Sequence, residues 1–336
     1  MNGMDRGPIF IGGPDRCGKT TLRACLVSHP NIAIPDVGSN YWTYFYGQYG
    51  DLSRGENFER CLAAMLRYKH VRFLKPDPDR LRREFWQGEP TYARLFALFH
   101  EHYAEREGKP RWGDQTGLVE RYADHIFAAY PTAKMLHLLR DPRDRYAASK
   151  YPSRFQGGKA GRSIAEWLYS VGLARRNQER YPDRYRIVRY ETLVTHPEDT
   201  LQEVCAFVEE DYTPAMLTLD GAPRFRDKLG SGLHTGLSPP SPDFIGRFRQ
   251  TIPKGEIAFL QAFAGRDMLA FDYPLELIHF SPGERLAFYL RDWPLNLARL
   301  LTWDAVEAIQ HHLPAHFGRK PARKKAKQAS LQTAAE

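Results

Sequence analysis

The residues from Pro8 to Leu26 have the types and spacing of a phosphate-binding loop. Their sequence, PIFIGGPDRCGKTTLRACL, predicts a short apolar strand, a glycine turn and the first turns of a helix. Gly13 and Gly18 let the backbone turn with its N–H groups facing inward, and the helix N-terminus attracts anions. The residues that we expect to bind the phosphate lie in this turn or directly after it: Arg16, Cys17, Gly18, Lys19, Thr20 and Thr21.

The same turn also matches the Walker A pattern G-x-x-x-x-G-K-[ST], from Gly13 to Thr20. Its context suits that pattern, because a strand precedes it and a helix follows. We therefore expect phosphate binding rather than a turn that only joins two elements. The pattern does not identify the phosphate compound or the group that is transferred.

Length and composition indicate a globular protein without a membrane span. The chain has 336 residues, of which 42% are hydrophobic, enough for a sizeable core. Its first residues lack a charged segment followed by an apolar one, and no later run approaches the roughly 18 apolar residues of a membrane helix. We expect a cytoplasmic protein. Sparse cysteines without C-x-x-C spacing predict free thiols, at Cys17, Cys25, Cys61 and Cys205.

The positive charge is concentrated at the C-terminal end of the chain. Of the net charge of +8, residues 319–336 contribute +5, so the first 318 residues carry only about +3. This distribution argues against specific nucleic-acid binding. We expect residues 318–336 to form a solvated, disordered tail, with weak contact to an anionic membrane surface as the lesser alternative.

Strands and helices are predicted to alternate along the chain. A second strand is expected at Ile32–Pro35, and the aromatic stretch from Tyr41 to Tyr46 fits either a substrate-lining loop or a helix buried against the sheet. Further strands are predicted at Lys134–Leu139 and Tyr185–Tyr190. Helical patterns cover the remaining long segments: 56–105, 119–129, 164–180, 199–208, 254–264 and 282–312. Residues 220–245 form a long loop rich in Gly, Ser and Pro.

The apolar run Lys134–Leu139 is followed directly by a charged segment, Arg140-Asp141-Pro142-Arg143-Asp144. A near-continuous apolar strand is typical of a parallel sheet that is covered on both faces. Ligands of open α/β sheets bind at the carboxyl ends of the strands, where this segment lies. The alternation predicts a three-layer α/β fold of the P-loop type, with a central parallel sheet and helices on both faces. Such a fold does not by itself choose a reaction.

Three motifs, in the expected order, resemble those of sulfotransferases that use 3′-phosphoadenosine 5′-phosphosulfate. FIGGPDRCGKTTLRACLVSHPNI is similar to the 5′-phosphosulfate loop of that family, and MLHLLRDPRDRYAAS to its 3′-phosphate motif. RIVRYETLVTHPEDTLQEVCAFV resembles the strand, turn and helix that follow. Weaker similarities occur in RWGDQTG and IGRFRQ, and the resemblance covers about residues 8–273.

The resemblance implies a role for each matching residue. Arg16, Gly18, Lys19, Thr20 and Thr21 would bind the 5′-phosphosulfate, whereas Arg140 and a helix serine would hold the 3′-phosphate, a group suited to the bidentate guanidinium. The serine of the family falls at Ala148 here, so that Ser149, one position later, is the candidate. Tyr190 matches a tyrosine near the adenine in some members, or is an ordinary strand aromatic.

The resemblance also implies the reaction. A sulfuryl group would pass in line from the donor to a hydroxyl or amine of an acceptor, releasing adenosine 3′,5′-bisphosphate without a metal. Arg16 and Lys19 would stabilise the developing negative charge. Asp36 and Asp114 are both candidates for the general base. His29 is a third, but a histidine before a proline at a helix end is more often structural. A small molecule, a carbohydrate or a lipid is the expected acceptor.

Two other functions stay open on the sequence. Lys19 completes a Walker A string and, with Asp144-Arg145-Tyr146, also resembles thymidylate kinases, so a nucleoside or nucleotide kinase that uses ATP and Mg²⁺ is the first alternative. The second is a non-catalytic nucleotide-binding protein.

We divide the chain into an α/β domain (1–280), a helical C-terminal extension (281–317) that packs on the domain or on a partner subunit, and the basic tail (318–336). A homo-oligomer is left open.

Overall fold

A computed structural model describes residues 6–150, 160–219, 222 and 240–312. Five parallel strands form one sheet in the order β2-β3-β1-β4-β5. In chain order they are β1 (Ile9–Gly12), β2 (Ile32–Ala33), β3 (Arg111–Gln115), β4 (Lys134–Leu139) and β5 (Tyr185–Arg189). The order places β1 in the centre, with β3 and β4 on its two sides.

Helices form most of the rest of the described chain. They are α1 (Lys19–Val27), α2 (Tyr41–Tyr44), α3 (Gly55–Arg67), α4 (Lys69–Arg72), α5 (Pro78–Phe85), α6 (Tyr92–Arg106), α7 (Ala123–Ala129), α8 (Pro142–Lys150), α9 (Ala160–Arg180), α10 (Tyr190–Thr195), α11 (Pro197–Val208), α12 (Ala215–Thr218), α13 (Phe248–Thr251), α14 (Lys254–Ala270), α15 (Pro282–Ala287) and α16 (Trp293–His312). Short 3₁₀ turns occur at Val119–Tyr122 and Pro242–Phe244, and a π-helix at Phe288–Asp292.

Both faces of the sheet are covered, which confirms the predicted three-layer architecture. Alternate residues of β1 enter different cores because side chains alternate along a strand. Phe10 packs with the helices on one face, and Ile9 and Ile11 with those on the other. All residues of β1 are buried, and in β4 only the first is not. This double burial explains why both strands are near-continuous apolar runs in the sequence.

The aromatic stretch that begins at Tyr41 starts as the short helix α2, whose first two residues are buried against α6. Tyr41 and Trp42 are buried in α2 and pack on Phe96 of α6 with ring centroids 5.0 and 5.7 Å away. Tyr44 points outward, with 41% of its surface exposed. Trp42 and Tyr46 also line the inner wall of an open cavity of about 540 Å³.

The C-terminal helices pack on α9 and α14, but only some of their apolar side chains are buried. Phe288 and Leu300 are in the core, whereas Leu286 and Leu290 are more than half exposed. Leu286 and Leu290 each lie two residues from Phe288, just over half a helical turn, and are therefore on the opposite side of the helix from it. The predicted tail lies outside the described residues.

All four cysteines are buried and unpaired, as expected from their spacing. Burial raises the pKa of both Cys25 and Cys61 to about 12, so these thiols stay protonated at neutral pH. None of the helices within the described residues is long and apolar enough to cross a membrane.

We expect Phe96→Ala to lower the free energy of unfolding by about 3–5 kcal/mol, the usual cost of deleting a buried phenyl ring. Phe96 is fully buried and its ring lies 6.0 Å from that of Phe10 in the central strand. The measurement is urea unfolding followed by circular dichroism. Leu277→Ala, at a side chain that is 88% exposed, is the control and should change stability by less than about 0.5 kcal/mol. Equal effects of the two substitutions would contradict this account of the core.

Candidate functional site

The turn between β1 and α1 has the backbone shape of an anion site. Gly13, Arg16 and Gly18 have positive φ values of 112°, 68° and 100°. Gly18 is the N-cap of α1 and provides no side chain to cap it, while its carbonyl accepts from the amides of Thr21 and Leu22 at 3.0 and 3.2 Å. The first amides of α1 therefore have no partner within the helix and are available to an anion.

Four consecutive carbonyl oxygens of this turn accept hydrogen bonds from cationic side chains. The Lys19 ammonium donates to the carbonyls of Gly13 and Pro14 at 2.7 and 2.6 Å. The carbonyl of Asp15 accepts from Arg145 Nε at 2.8 Å, and that of Arg16 from Arg140 at 3.3 Å. The backbone of the turn is thus fixed from three sides.

The other predicted loop residues have different environments. The Arg16 side chain is exposed and makes no ion pair with a described residue, while Thr20 is exposed and Thr21 partly buried. Cys17 is fully buried, and burial raises the pKa of its thiol, so only its backbone is available to a ligand.

Arg140 lies directly beside the turn, although 124 residues separate it from Arg16 in the chain. It donates to the Phe244 carbonyl at 2.8 Å, and its guanidinium lies 4.4 Å from the centre of the Tyr190 ring. Its Nε is buried and has no hydrogen-bond partner among the described residues. A buried donor without a partner is costly in the free protein and would be satisfied by a bound anion.

Tyr190 lies between Arg140 and the phosphate loop. A Cβ placed on Gly18 would come within 2.3 Å of the Tyr190 ring, so the loop and the ring are in direct contact. Burial raises the pKa of the Tyr190 phenol. The ring thus braces the guanidinium on one side and the turn on the other.

Ser149 lies farther along α8 from this cluster. Its hydroxyl donates to the carbonyl of Tyr146 at 2.7 Å within the same helix. Arg140 precedes the first residue of α8, so Ser149 lies about two helical turns, roughly 10 Å, beyond that end. The structure therefore brings together Arg140, Tyr190 and the glycine turn, and it shows no contact of Ser149 with Arg140.

Arg145 also holds the turn, although the sequence indicated it only as part of the string Asp144-Arg145-Tyr146. Besides the Asp15 carbonyl, Arg145 contacts Ser163 and pairs with Glu166 at 2.6 Å, so that it links the turn to α9. The buried Arg143, by contrast, forms an ion pair with Asp141 at 2.6 Å, and its guanidinium lies 4.2 Å from the centre of the Phe248 ring. Arg143 therefore has a packing role. The arginine-rich segment after β4 was the available signal, but the three arginines cannot be told apart without the structure.

Asp144 attaches the segment around Gly246 to the same edge of the sheet. Its carboxylate accepts from the amides of Gly246 and Phe248 at 2.6 and 2.9 Å. Burial raises the pKa of Asp144, against the effect of these two hydrogen bonds. The segment IGRFRQ, a weak similarity in the sequence, is therefore next to Arg140 in the fold.

Asp36 follows β2 and forms an ion pair with the buried Arg23 of α1. Arg23 also donates to the carbonyls of Ile34 and Pro35, at 3.1 and 2.9 Å. About a quarter of the Asp36 side chain stays exposed, and Oδ2 makes no hydrogen bond to a described residue. One oxygen of this carboxylate therefore remains accessible.

Asp114 is held inside the protein. Its carboxylate accepts from the Ser39 amide at 3.1 Å and the Thr116 hydroxyl at 2.7 Å, and His100 Nε2 lies 3.3 Å away. Burial alone would raise the pKa of Asp114, but these contacts outweigh it and hold the pKa below its ordinary value. Only 1% of the residue is exposed, so an acceptor does not reach it in this conformation.

Two further observations concern the expected chemistry. His29, the third candidate base, is buried at the opposite edge of the sheet, where its Nε2 lies 2.8 Å from the Asp211 carbonyl. Within the described part of the chain there is no group of three or more His, Cys, Asp or Glu residues that could hold a metal ion.

Comparison with known proteins gives a consistent set of matches. Residues 8–214 match the model of the sulfotransferase family. A protein-tyrosine sulfotransferase of Drosophila melanogaster is 23% identical over 219 residues, which are 62% of this chain and 39% of that protein. The chain thus spans well under two thirds of that relative's length.

Solved structures support the fold. The sulfotransferase domain from the Synechococcus PCC 7002 olefin synthase has a TM-score of 0.54 and 22% identity, covering 80% of this chain and 95% of that domain. The sulfotransferase domain from the curacin biosynthetic pathway has a TM-score of 0.50 and 17% identity, covering 81% and 99%.

We expect Gly18→Ala to weaken phosphate binding much more than Gly47→Ala. Both glycines have positive φ, 100° and 72°, so both substitutions strain the backbone by a similar amount, about 1 kcal/mol. Only at Gly18 does the added methyl group displace a neighbour, the Tyr190 ring, whereas nothing lies within 4 Å at Gly47. The measurement is the affinity for adenosine 3′,5′-bisphosphate by calorimetry, with melting temperatures in parallel. Equal affinities of the two variants would contradict the contact.

Proposed function

The chain belongs to the sulfotransferase family, and on that premise we propose that it transfers a sulfuryl group from 3′-phosphoadenosine 5′-phosphosulfate. The acceptor would be a hydroxyl or amine of a small molecule, carbohydrate or lipid, and adenosine 3′,5′-bisphosphate the second product. The fruit-fly relative is a protein-tyrosine sulfotransferase, and the acceptor in its name is the tyrosine of a protein, which lies outside these three classes. The alternatives are the kinase and the non-catalytic nucleotide-binding protein.

One observation carries the proposal: a second cationic group lies beside the phosphate loop. Arg140 reaches the backbone of Arg16 at 3.3 Å and keeps a buried, unpartnered Nε. A donor with phosphates at both ends of one nucleoside needs two anion sites that a single molecule can span. The loop amides suit the 5′-phosphosulfate, and the fork of Arg140 suits the 3′-phosphate.

The residues of the chain would act on the transferred group by charge and position. The donor supplies an activated sulfuryl group on a phosphate that departs as an anion. The exposed guanidinium of Arg16 and the first amides of α1 can bind the oxygens on which negative charge grows. Lys19 adds positive charge next to them while it keeps the carbonyls of Gly13 and Pro14 turned away. Fixed donors of this kind need no rearrangement during the reaction.

The environment of Asp114 favours sulfuryl transfer over the kinase alternative. Phosphoryl transfer from ATP uses an aspartate at a strand end to hold Mg²⁺. Asp114 is in a comparable position at the end of β3, but its two oxygens already accept hydrogen bonds from Ser39 and Thr116, and His100 lies beside it. The reaction proposed here needs no metal.

We assign the general base to Asp36 rather than Asp114. A base must lie within hydrogen-bond reach of the acceptor, and Asp36 alone of the two has an accessible oxygen. Arg23 fixes the carboxylate from the buried side. Gln115 at the end of β3 donates to the Asp36 carbonyl at 3.3 Å, so this carboxylate belongs to the same edge of the sheet as the loop.

The direct test of the function compares ligands and then looks for turnover. Adenosine 3′,5′-bisphosphate should raise the melting temperature, and ATP with Mg²⁺ should raise it less. Labelled donor incubated with a cell extract should then give a labelled acceptor. Stabilisation by ATP with Mg²⁺ alone would favour the kinase, and donor binding without any labelled product would favour the non-catalytic protein.

We expect Arg140→Lys to weaken binding of adenosine 3′,5′-bisphosphate about tenfold to a hundredfold, because lysine loses the bidentate fork and the stacking on Tyr190. The control ligand is adenosine 5′-phosphosulfate, which lacks the 3′-phosphate and should bind both proteins about equally. The measurement is calorimetry with the two ligands and the two proteins. An equal loss of affinity for the two ligands would show that Arg140 does not bind the 3′-phosphate.

Asp36→Asn should lower kcat by about a hundredfold or more while the affinity for the donor is kept. Asp114→Asn is the comparison and should mainly lower stability, since it leaves buried donors unpaired. The pKa of Asp114 is lowered by folding, so its carboxylate stabilises the protein above the ordinary aspartate pKa, and that stabilisation is lost as the pH falls. The melting temperature of Asp114→Asn should therefore depend less on pH in the acid range. An unchanged kcat in Asp36→Asn would exclude Asp36 as the base.

A further inference from the structure

Glu120 is a fully buried carboxylate directly behind the phosphate loop. Its Oε2 accepts from the amide of Gly13 at 2.8 Å, and all of the residue is shielded from solvent. A Cβ on Gly12 would come within 2.7 Å of the same oxygen, so the strand end is shaped around the carboxylate. A buried negative charge next to a site for anions is electrostatically unfavourable, and this calls for another role.

Three further buried side chains fix the carboxylate. Ser170 Oγ lies 2.8 Å from Glu120 Oε1 and 3.0 Å from His137 Nε2, while His137 Nδ1 contacts the hydroxyl of Tyr185. Ser170, His137 and Tyr185 are each no more than 1% exposed. In addition, Asn177 donates to the backbone carbonyl of Glu120 at 2.8 Å.

The chemistry of the four groups gives the chain a single direction. A carboxylate only accepts, so Ser170 must donate to Glu120 and in turn accept from His137 Nε2–H. Burial lowers the pKa of His137, so its ring is neutral and accepts at Nδ1 from Tyr185. The phenol keeps its proton because burial raises its pKa well above the ordinary value. The three hydrogen bonds among these side chains thus run from β5 through β4 and α9 to Glu120, which also accepts from the Gly13 amide of the loop.

We propose that Glu120 is a positioning residue, which holds the Gly13 amide and thereby keeps the loop in its anion-binding shape. Gly13 is then fixed at both ends, since its carbonyl accepts from Lys19 at 2.7 Å and from the Leu118 amide at 3.3 Å. A Cβ on Gly13 would come within 2.4 Å of the Leu138 carbonyl, so the glycine packs on β4 without free space. The proposal extends the function above, since the loop is the proposed donor site.

A positioning role and a purely electrostatic role predict opposite effects of Glu120→Gln. Removing a negative charge behind the loop would by itself tighten the binding of an anion. Glutamine has one acceptor oxygen where Glu120 has two. If its carbonyl accepts from Ser170, its NH2 group meets the Gly13 N–H, and the loop loses the hydrogen bond that fixes its shape. We therefore expect the affinity for adenosine 3′,5′-bisphosphate to fall about tenfold or more, with a higher KM for the donor and an unchanged KM for the acceptor.

The control is Glu210→Gln, which removes another buried carboxylate. Glu210 is 7% exposed and accepts from Arg6, Asn31 and Arg111 at the opposite edge of the sheet. It should lower stability and leave donor affinity unchanged. Ser170→Ala, which keeps Glu120 but removes the hydroxyl that orients it, should weaken donor binding in the same direction by a smaller factor, and it serves if Glu120→Gln does not fold.

Hydrogen exchange of the free protein tests the proposal without any donor. Glu120→Gln, or Ser170→Ala in its place, should speed exchange in peptides that cover residues 9–22 and leave the exchange of α14 unchanged. Glu210→Gln should not speed exchange in residues 9–22. Wild-type exchange there together with equal or tighter binding of the bisphosphate would overturn the proposal. Should the wild-type protein not bind the bisphosphate at all, the proposed function fails, while the exchange comparison still decides the role of Glu120.

Discussion

The site depends on the orientation of four consecutive peptide groups between β1 and α1. Cationic side chains from α1, α8 and the end of β4 hold the carbonyl oxygens from Gly13 to Arg16. A peptide group directs its N–H and C=O to opposite sides, so fixing the oxygens away from the turn directs the N–H groups of Asp15, Arg16 and Cys17 into it. The Gly13–Pro14 peptide has no N–H. Such a concave row of N–H groups binds anions without any charged side chain. The cationic side chains thus have two effects: they fix the backbone of the turn, and they make the electrostatic potential there more positive.

The strand order explains how residues distant in the chain meet at this turn. β1 lies between β3 and β4, and parallel strands end at the same edge of the sheet. Arg140 follows β4 and Asp114 ends β3, so the phosphate loop lies between them. Tyr190, at the end of β5, fills the space between Arg140 and Gly18. The family membership and the geometry therefore point to the same edge.

Polar groups behind this edge are buried, and nearly all are hydrogen-bonded to one another. Asp114 and Glu120 are carboxylates without a permanent cation, and each accepts several hydrogen bonds from buried neighbours. Such networks are stable only when complete, and then they rigidify the structure around them. Arg140 Nε, by contrast, is buried without a hydrogen-bond partner among the described residues and lies at the proposed binding surface. The hydrogen-bonded carboxylates thus support the site from behind, whereas Arg140 belongs to the surface proposed to bind the ligand.

The sequence alone predicted four of the five strands, the glycine turn after β1 and the position of Arg140 after β4, because these depend on local periodicity and on glycines at fixed spacing. It missed β3 (Arg111–Gln115), which has no apolar run. It could not separate Arg140, Arg143 and Arg145, or Asp36 from Asp114, since each pair or triplet has the same chemistry and differs only in burial. It gave no sign of Glu120, whose role depends on Ser170 and His137 in other elements. Burial and long-range hydrogen bonds arise only when distant segments pack together, and for that physical reason only the tertiary structure shows the contacts on which the proposed roles rest.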